Sequence, residues 1–183
     1  MRKIPDYVRA TTPDERFLLR AGVPADYWHT DLKQLKFRQI AIGKTKVTPA
    51  QQRSGLKQLC VDPGGQLVVL ASLVEEAALR IACFCLAEMQ KAKLPFCLTT
   101  ADQLWRIDKQ DKEDAKRMRC IMIHNLMAEA TGPRLQSVRD TLYHQRFRAR
   151  LLVVAGTKDP FGFVTTRLHL RPDLCCYVED DFT

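Results

Sequence analysis

The segment from Leu67 to Lys93 constrains the fold more than any other part of this 183-residue chain. It opens with an apolar run, passes through a short turn, and continues into a long series of helix-forming residues. A continuous apolar run of this length is typical of a strand buried on both faces of a parallel sheet. We expect a strand at Gln66–Ala71 and a helix at Leu73–Lys91.

The same alternation continues downstream and predicts an α/β fold, with a mostly parallel sheet flanked by helices. The other predicted elements are helices at 13–20 and from Thr48 to about Cys60, strands at 96–100, 119–124 and 151–155, a helical turn at 101–106, a charged loop at 108–116, a helix at 134–148 and a terminal segment around 175–178. We expect a compact α/β domain at 48–183, preceded by a basic N-terminal arm or docking segment at 1–47.

Positive charge is concentrated in the front of the chain. Twelve Lys and Arg stand against five Asp and Glu in residues 1–60, which leaves +7 of the total net charge of +8. Such an excess suits an anionic partner such as DNA, although scattered Lys and Arg also form ordinary solvated surface. The candidate nucleic-acid-binding residues are Lys33, Lys36, Arg38, Lys44, Lys46, Arg53, Lys57, Arg146, Arg148 and Arg150.

The seven cysteines are odd in number, have no CxxC spacing and lie mostly in apolar runs, so we expect reduced core thiols and a cytoplasmic protein. The spacing of His169, Cys175 and Cys176 fits none of the usual zinc patterns, and no metal or cofactor is predicted. The N-terminus has no apolar core of a signal peptide, and no stretch is long enough to predict a membrane span.

Several segments, taken together and in order, resemble the DnaC/IstB-like branch of the AAA+ ATPases, which contains helicase loaders and insertion-sequence ATP-binding proteins. The resemblance begins at Arg16–Tyr27 and Leu32–Leu35 and covers roughly residues 14–178. The strand–turn–helix unit stands at Walker A, and Cys120–Glu129 stands at Walker B. The other matching segments are Phe96–Leu104, Arg134–Arg150, Leu151–Thr157 and the pair Arg167–Leu168. The resemblance implies a P-loop NTPase-like core, here without a lid domain.

The residues that bind nucleotide in that family are missing here. A P-loop uses glycine N–H groups and a Lys to hold phosphates, and a Ser or Thr to hold Mg²⁺. The positions of this degenerate nucleotide site carry Glu75, Glu76, Ala77, Ala78, His124, Asn125 and Thr157. Glu75 and Glu76 also have a structural interpretation, since carboxylates at a helix N-terminus complement its dipole. His124 can likewise be interpreted as an ordinary polar residue whose hydrogen bonds are satisfied within the fold.

The sequence therefore predicts a non-catalytic, AAA+-like accessory protein with a DNA partner, a protein partner, or both. The resemblance implies replication, transposition or another mobile-element process, with a helicase or other nucleoprotein machinery as the partner. Two alternatives stay open at this point. One is an ATPase whose site is completed by a partner subunit, with Glu129 and Arg167 as its visible support; the other is a purely structural interaction subunit.

Overall fold

Five parallel strands form the centre of the fold in a computed structural model, which describes residues 13–20, 23–105, 107 and 117–179. The helices are α1 (Pro13–Arg20), α2 (Pro49–Val61), α3 (Glu75–Lys91), α4 (Gly132–His144) and α5 (Pro160–Arg167). The strands are β1 (Ile40–Ile42), β2 (Thr45–Val47), β3 (Leu67–Ser72), β4 (Phe96–Thr100), β5 (Cys120–Met127), β6 (Ala149–Ala155) and β7 (Leu174–Tyr177). The predicted loop at 108–116 lies outside the described residues.

The five-stranded sheet has the order β4-β5-β6-β3-β7, and every neighbouring pair in it is parallel. The first of these strands along the chain, β3, lies between β6 and β7, so the connection through α3 passes over two strands before β4. The predicted α/β fold with a mostly parallel sheet flanked by helices is confirmed, and it is consistent with a P-loop-like core. No lid domain is found in the part of the chain that the structure describes.

Strand β3 is buried along its whole length because it contributes side chains to both faces of the sheet. Val68 and Leu70 pack in the cluster that contains α2 and α3, whereas Val69 and Ala71 pack in the cluster that contains α4 and α5. Alternate residues of a strand point to opposite faces, so burial on both faces requires an unbroken apolar run. This requirement explains why the apolar run that begins at Leu67 predicts a strand of the sheet so well.

Two of the helix boundaries that differ from the sequence prediction bear on the candidate sites. Helix α3 begins at Glu75 rather than Leu73, because Val74 is extended (φ −112°, ψ 135°) and Leu73 stays 47% exposed. Helix α4 ends at His144 rather than 148, and the chain turns at Gln145 before entering β6. Consequently Arg146 and Arg148 lie in a connection at the amino edge of the sheet and not on a helix.

Helix α2 begins where the sequence predicts. The Thr48 hydroxyl accepts a hydrogen bond from the backbone N–H of Gln51 at 3.3 Å, and the Gln51 side chain accepts one from Thr48 N at 2.8 Å. This reciprocal capping box satisfies two backbone donors that a helix start leaves unpaired. The Pro at position 49 supplies a suitable first helical residue.

The residues ahead of α2 pack onto the same core, and they include a β-hairpin that the sequence prediction missed. The hairpin joins β1 to β2 through a tight turn in which Gly43 has φ +60°. A Gly-X pair between two short β-prone runs is a known hairpin signal. Within the described part of this front segment, the buried hydrophobic residues are Leu18, Val23, Trp28, Leu32, Leu35, Phe37 and Ile40. The division of the chain at residue 48 stays a prediction.

Candidate functional site at the carboxyl edge of the sheet

The carboxyl edge of the sheet brings together the three sequence positions expected to correspond to a nucleotide site. In open parallel α/β sheets, ligands bind outside the carboxyl ends of the strands. Here the turn after β3 hydrogen-bonds to the end of β6, where Gly156 N donates to Ser72 O at 2.9 Å. Glu75 at the start of α3 contacts His124 and Asn125 of β5. Three of the predicted residues, Glu75, His124 and Asn125, therefore form one cluster.

The turn between β3 and α3 contains only Leu73 and Val74. Ser72, which is fully buried, closes this turn: its hydroxyl donates to Val74 O at 2.5 Å and accepts from Ala78 N at 3.3 Å. The φ angles of residues 67–91 are all negative. A phosphate-binding loop instead needs several residues, glycines among them, to wrap backbone N–H groups around an anion. This turn is too short and too tightly bonded to do so.

Glu75 connects the start of α3 to β5. Its carboxylate accepts a short hydrogen bond from the backbone N–H of Asn125, and its Oε1 lies 3.3 Å from His124 Nδ1. The His124 hydrogen bond lowers the pKa of Glu75 below its usual value, the Asn125 N–H and the charges of His124 and Arg134 act in the same direction, and partial burial opposes them. Glu75 is therefore a carboxylate at neutral pH, held at the edge of the sheet.

A second set of contacts holds Asn125 from the opposite side. The guanidinium of Arg134 donates to the Asn125 carbonyl oxygen and, at 3.0 Å, to Asp102 Oδ2. The Asn125 side chain donates to the same Asp102 oxygen at 3.3 Å. Asn125 has φ +59° and sits where the β5–β6 register shifts between residues 123 and 126. Sequence reasoning placed Asp102 and Arg134 inside matching segments but did not single them out, since neither stands at a nucleotide-binding position of the family.

The other three residues predicted at the β3–α3 turn face elsewhere. Glu76 points away from the edge and forms an ion pair with Arg80 one helical turn later, at 2.7 Å. The Arg80 guanidinium also lies over the ring of Tyr27, 5.5 Å from its centroid, in the front segment. Ala77 and Ala78 are buried in the core. Of these four residues, only Glu75 contributes a functional group to the edge cluster.

The residues at the ends of β6 and α5 make local hydrogen bonds. Thr157 Oγ1 accepts from Asp159 N at 3.0 Å, just ahead of α5. Arg167, which the resemblance places in the conserved Arg-Leu pair, donates to Ala130 O at 2.8 Å and so ties α5 to the β5–α4 connection. Glu129 lies in that connection and is exposed. These contacts position the loops around the edge.

The cysteines are buried and unbridged. All seven are free thiols in the interior, so the prediction of core thiols is confirmed. Burial raises the pKa of Cys83 and of Cys175 to about 12, which leaves little reactive thiolate at neutral pH. Among the described residues, no group of three or more His, Cys, Asp or Glu side chains is placed to hold a metal ion.

The predicted basic residues fall into separate groups, and several of them make structural contacts. Arg53 donates to the carbonyl oxygens of Leu32 and Leu35 and stacks on Phe37. Arg38 forms an ion pair with Glu179. Arg150 is only 8% exposed. The groups are Lys33, Lys36 and Arg38 in the front segment, Lys44 and Lys46 on the hairpin, Arg53 and Lys57 on α2, and Arg146, Arg148 and Arg150 at the amino edge.

No protein-family model, no curated protein and no solved structure matches this chain. Within the described residues, no helix has both the length and the apolar character that crossing a bilayer requires.

Proposed function

We propose that this chain is a non-catalytic accessory protein on an AAA+-like frame, and that it binds DNA, a protein partner, or both. The process implied by the resemblance is replication, transposition or another mobile-element reaction. The observation that carries the proposal is the contact of Glu75 with His124 and Asn125 at the carboxyl edge. A carboxylate of the protein stands where a nucleotide site would need to attract phosphate.

Phosphate binding at a sheet edge depends on backbone N–H groups that are free to donate to the anion. Three such groups at this edge already have protein acceptors: Ala78 N donates to Ser72 Oγ, Asn125 N to Glu75, and Gly156 N to Ser72 O. A triphosphate would have to displace these bonds and would also meet the negative charge of Glu75. Both effects oppose nucleotide binding.

Metal-assisted phosphoryl transfer needs a carboxylate that can coordinate Mg²⁺ and a group that orients water. The end of β5 offers His124 and Asn125 instead. The two carboxylates close to them, Glu75 and Asp102, are hydrogen-bonded to β5, and Asp102 also pairs with Arg134. Their charges are used to hold the edge together, which favours a protein that acts through its surfaces.

Two binding measurements test this proposal. A fluorescent ATP analogue is titrated into the chain with Mg²⁺, and gel shifts with single- and double-stranded DNA are run at low salt, where phosphate contacts are strongest. We expect no saturable nucleotide binding, together with a DNA shift that weakens as salt rises. Saturable micromolar binding of the analogue would favour the partner-completed ATPase instead. The absence of a gel shift with either form of DNA would favour the purely structural interaction subunit.

A further inference from the structure

A second candidate surface lies at the amino edge of the sheet, on the side opposite the Glu75 cluster. Here a cleft of about 410 Å³ opens between the loop that precedes β3 and the connection that leads from α4 into β6. Its lining includes Val61, Asp62, Leu94, Arg119, Phe147 and Arg148. Each of the connections around this cleft enters a strand of the sheet, so the cleft rests on a rigid base.

One aromatic ring of this cleft, Phe147, and a second ring near the end of α4, Tyr143, are largely exposed. Phe147 is 66% exposed and Tyr143 is 53% exposed. A large exposed aromatic side chain contributes little to folding, and a group of them marks a surface that binds something. The guanidinium of Arg148 lies 4.5 Å from the centroid of the Phe147 ring, and that of Arg146 lies 4.8 Å from the centroid of Tyr143. Each ring therefore carries an arginine next to it.

Buried contacts fix the position of the surface that these two rings and their arginines form. Arg150, beneath it, donates to Leu142 O and to Gly65 O, both at 2.8 Å, and so ties the end of α4 to the loop before β3. Gly65 packs so closely that a Cβ atom there would lie 2.8 Å from Arg146 O. Arg148 donates to Met118 O at 3.1 Å. The surface is consequently held in place before any ligand arrives.

We propose that this surface, defined by Tyr143, Arg146, Phe147, Arg148 and Arg119, binds single-stranded nucleic acid. Exposed rings offer faces for stacking of unpaired bases, and neighbouring guanidinium groups attract the phosphates. Two arginines, Arg119 and Arg148, line the cleft together with one carboxylate, Asp62, and Arg146 adds a third guanidinium over the Tyr143 ring. A duplex keeps its bases stacked inside and gives the rings nothing to stack on. The inference rests on the proposed function and gives the DNA contact a location and a strand preference.

Fluorescence anisotropy with labelled oligothymidylate and oligouridylate of about 20 nucleotides tests the inference. We expect Phe147→Ala to weaken binding about tenfold and Phe147→Trp to retain it, because stacking accounts for the loss. Arg146→Gln should lower the slope of log affinity against log salt by about 0.7, the value of one phosphate contact on a single strand. The two oligomers distinguish DNA from RNA as the source of the strand.

Trp105→Ala is the matched control, since Trp105 is an aromatic residue with the same 53% exposure as Tyr143 but follows β4 on the other edge of the sheet. We expect it to leave binding unchanged. Melting curves for every variant show whether the fold is retained.

The inference is overturned by unchanged affinity in the double variant Tyr143→Ala and Phe147→Ala, by a duplex preferred over the single strand, or by tighter binding of an acidic peptide than of either oligomer. Loss of binding only on charge reversal of Lys33, Lys36 and Arg38 would also overturn it, by moving the contact to the front segment. Nucleotide binding is scored separately in the ATP-analogue titration. The proposed function fails when that titration saturates, whatever the oligonucleotides do.

Discussion

Glu75 connects α3 to β5 through a single carboxylate. Its partners, the Asn125 N–H and the His124 ring, both stabilise the charged form, which is why its pKa is lowered. The neighbouring Glu76 forms only an ion pair within its helix. Two adjacent glutamates, equivalent by sequence, therefore have different roles, and this difference can be measured.

Glu75→Gln should destabilise the chain by about 1 kcal/mol at pH 7, as expected for hydrogen bonds to a charged acceptor. A carboxyl whose folded-state pKa is lowered contributes stability at pH values above its unfolded-state pKa of 4.5, and that contribution is lost as pH falls through the folded-state pKa. The gap between wild type and variant should therefore close below about pH 4.5. Urea unfolding at several pH values measures it.

Glu76→Gln is the control for this series, because it removes only an i,i+4 pair worth a few tenths of a kcal/mol. The account of Glu75 is wrong if the two variants show the same stability and the same pH dependence.

Ser72 decides how tight the β3–α3 turn is. Ser72→Ala leaves the buried Ala78 N–H and the Val74 carbonyl without their hydroxyl partner, so we expect a loss of about 1–3 kcal/mol. Ser54, exposed on α2, provides the comparison, and Ser54→Ala should change the free energy of unfolding by less than about 0.5 kcal/mol. Equal effects in urea titrations would mean that the hydroxyl does not hold the turn.

At the scale of elements, β5 differs from an ordinary parallel strand because its register with β6 shifts between residues 123 and 126. Asn125 occupies this shift with φ +59° and is held by Glu75 on one side and Arg134 on the other. At this irregularity, backbone groups that would otherwise continue the β5–β6 ladder point toward the site. The end of β5 is thus shaped by its contacts at the edge.

Asn125→Ala and Asn125→Gly separate the backbone from the side chain at this position. Both remove the hydrogen bond to Asp102, but only Ala meets the steric cost of a left-handed conformation, about 1–2 kcal/mol. We expect the Gly variant to be more stable than the Ala variant by about 1 kcal/mol in chemical unfolding. An Ala variant as stable as the Gly variant would contradict the left-handed conformation.

For the whole molecule, the part that the sequence predicted best is the sheet. Runs such as Leu151–Ala155 are buried on both faces of the sheet, and a strand in such a position must consist almost entirely of apolar residues. The start of α2 was predicted equally well, because Thr48 caps the helix. The order of the strands could not be predicted, because strand pairing depends on contacts between residues far apart in the chain.

The candidate sites were predictable only in part. The motif positions at the carboxyl edge were found, but the Glu75–Asn125 contact joins residues 50 apart and leaves no periodic signal. At the amino edge, the sequence prediction extended α4 to residue 148 and named Arg146, Arg148 and Arg150 as candidate nucleic-acid-binding residues, but it did not single out Phe147. The end of α4 at His144 places Phe147 and Arg148 beside a cleft formed with the loop ahead of β3.

We propose that this chain acts through its surfaces and does not bind nucleotide. The most direct test of this proposal is the melting temperature of the chain with increasing MgATP. A ligand present at 100 times its Kd stabilises a protein by about 2.7 kcal/mol, which for a chain of this size corresponds to a rise of about 5–10 °C. We predict no change up to about 1 mM MgATP. A saturable rise, absent with Mg²⁺ alone and abolished by EDTA, would contradict the account.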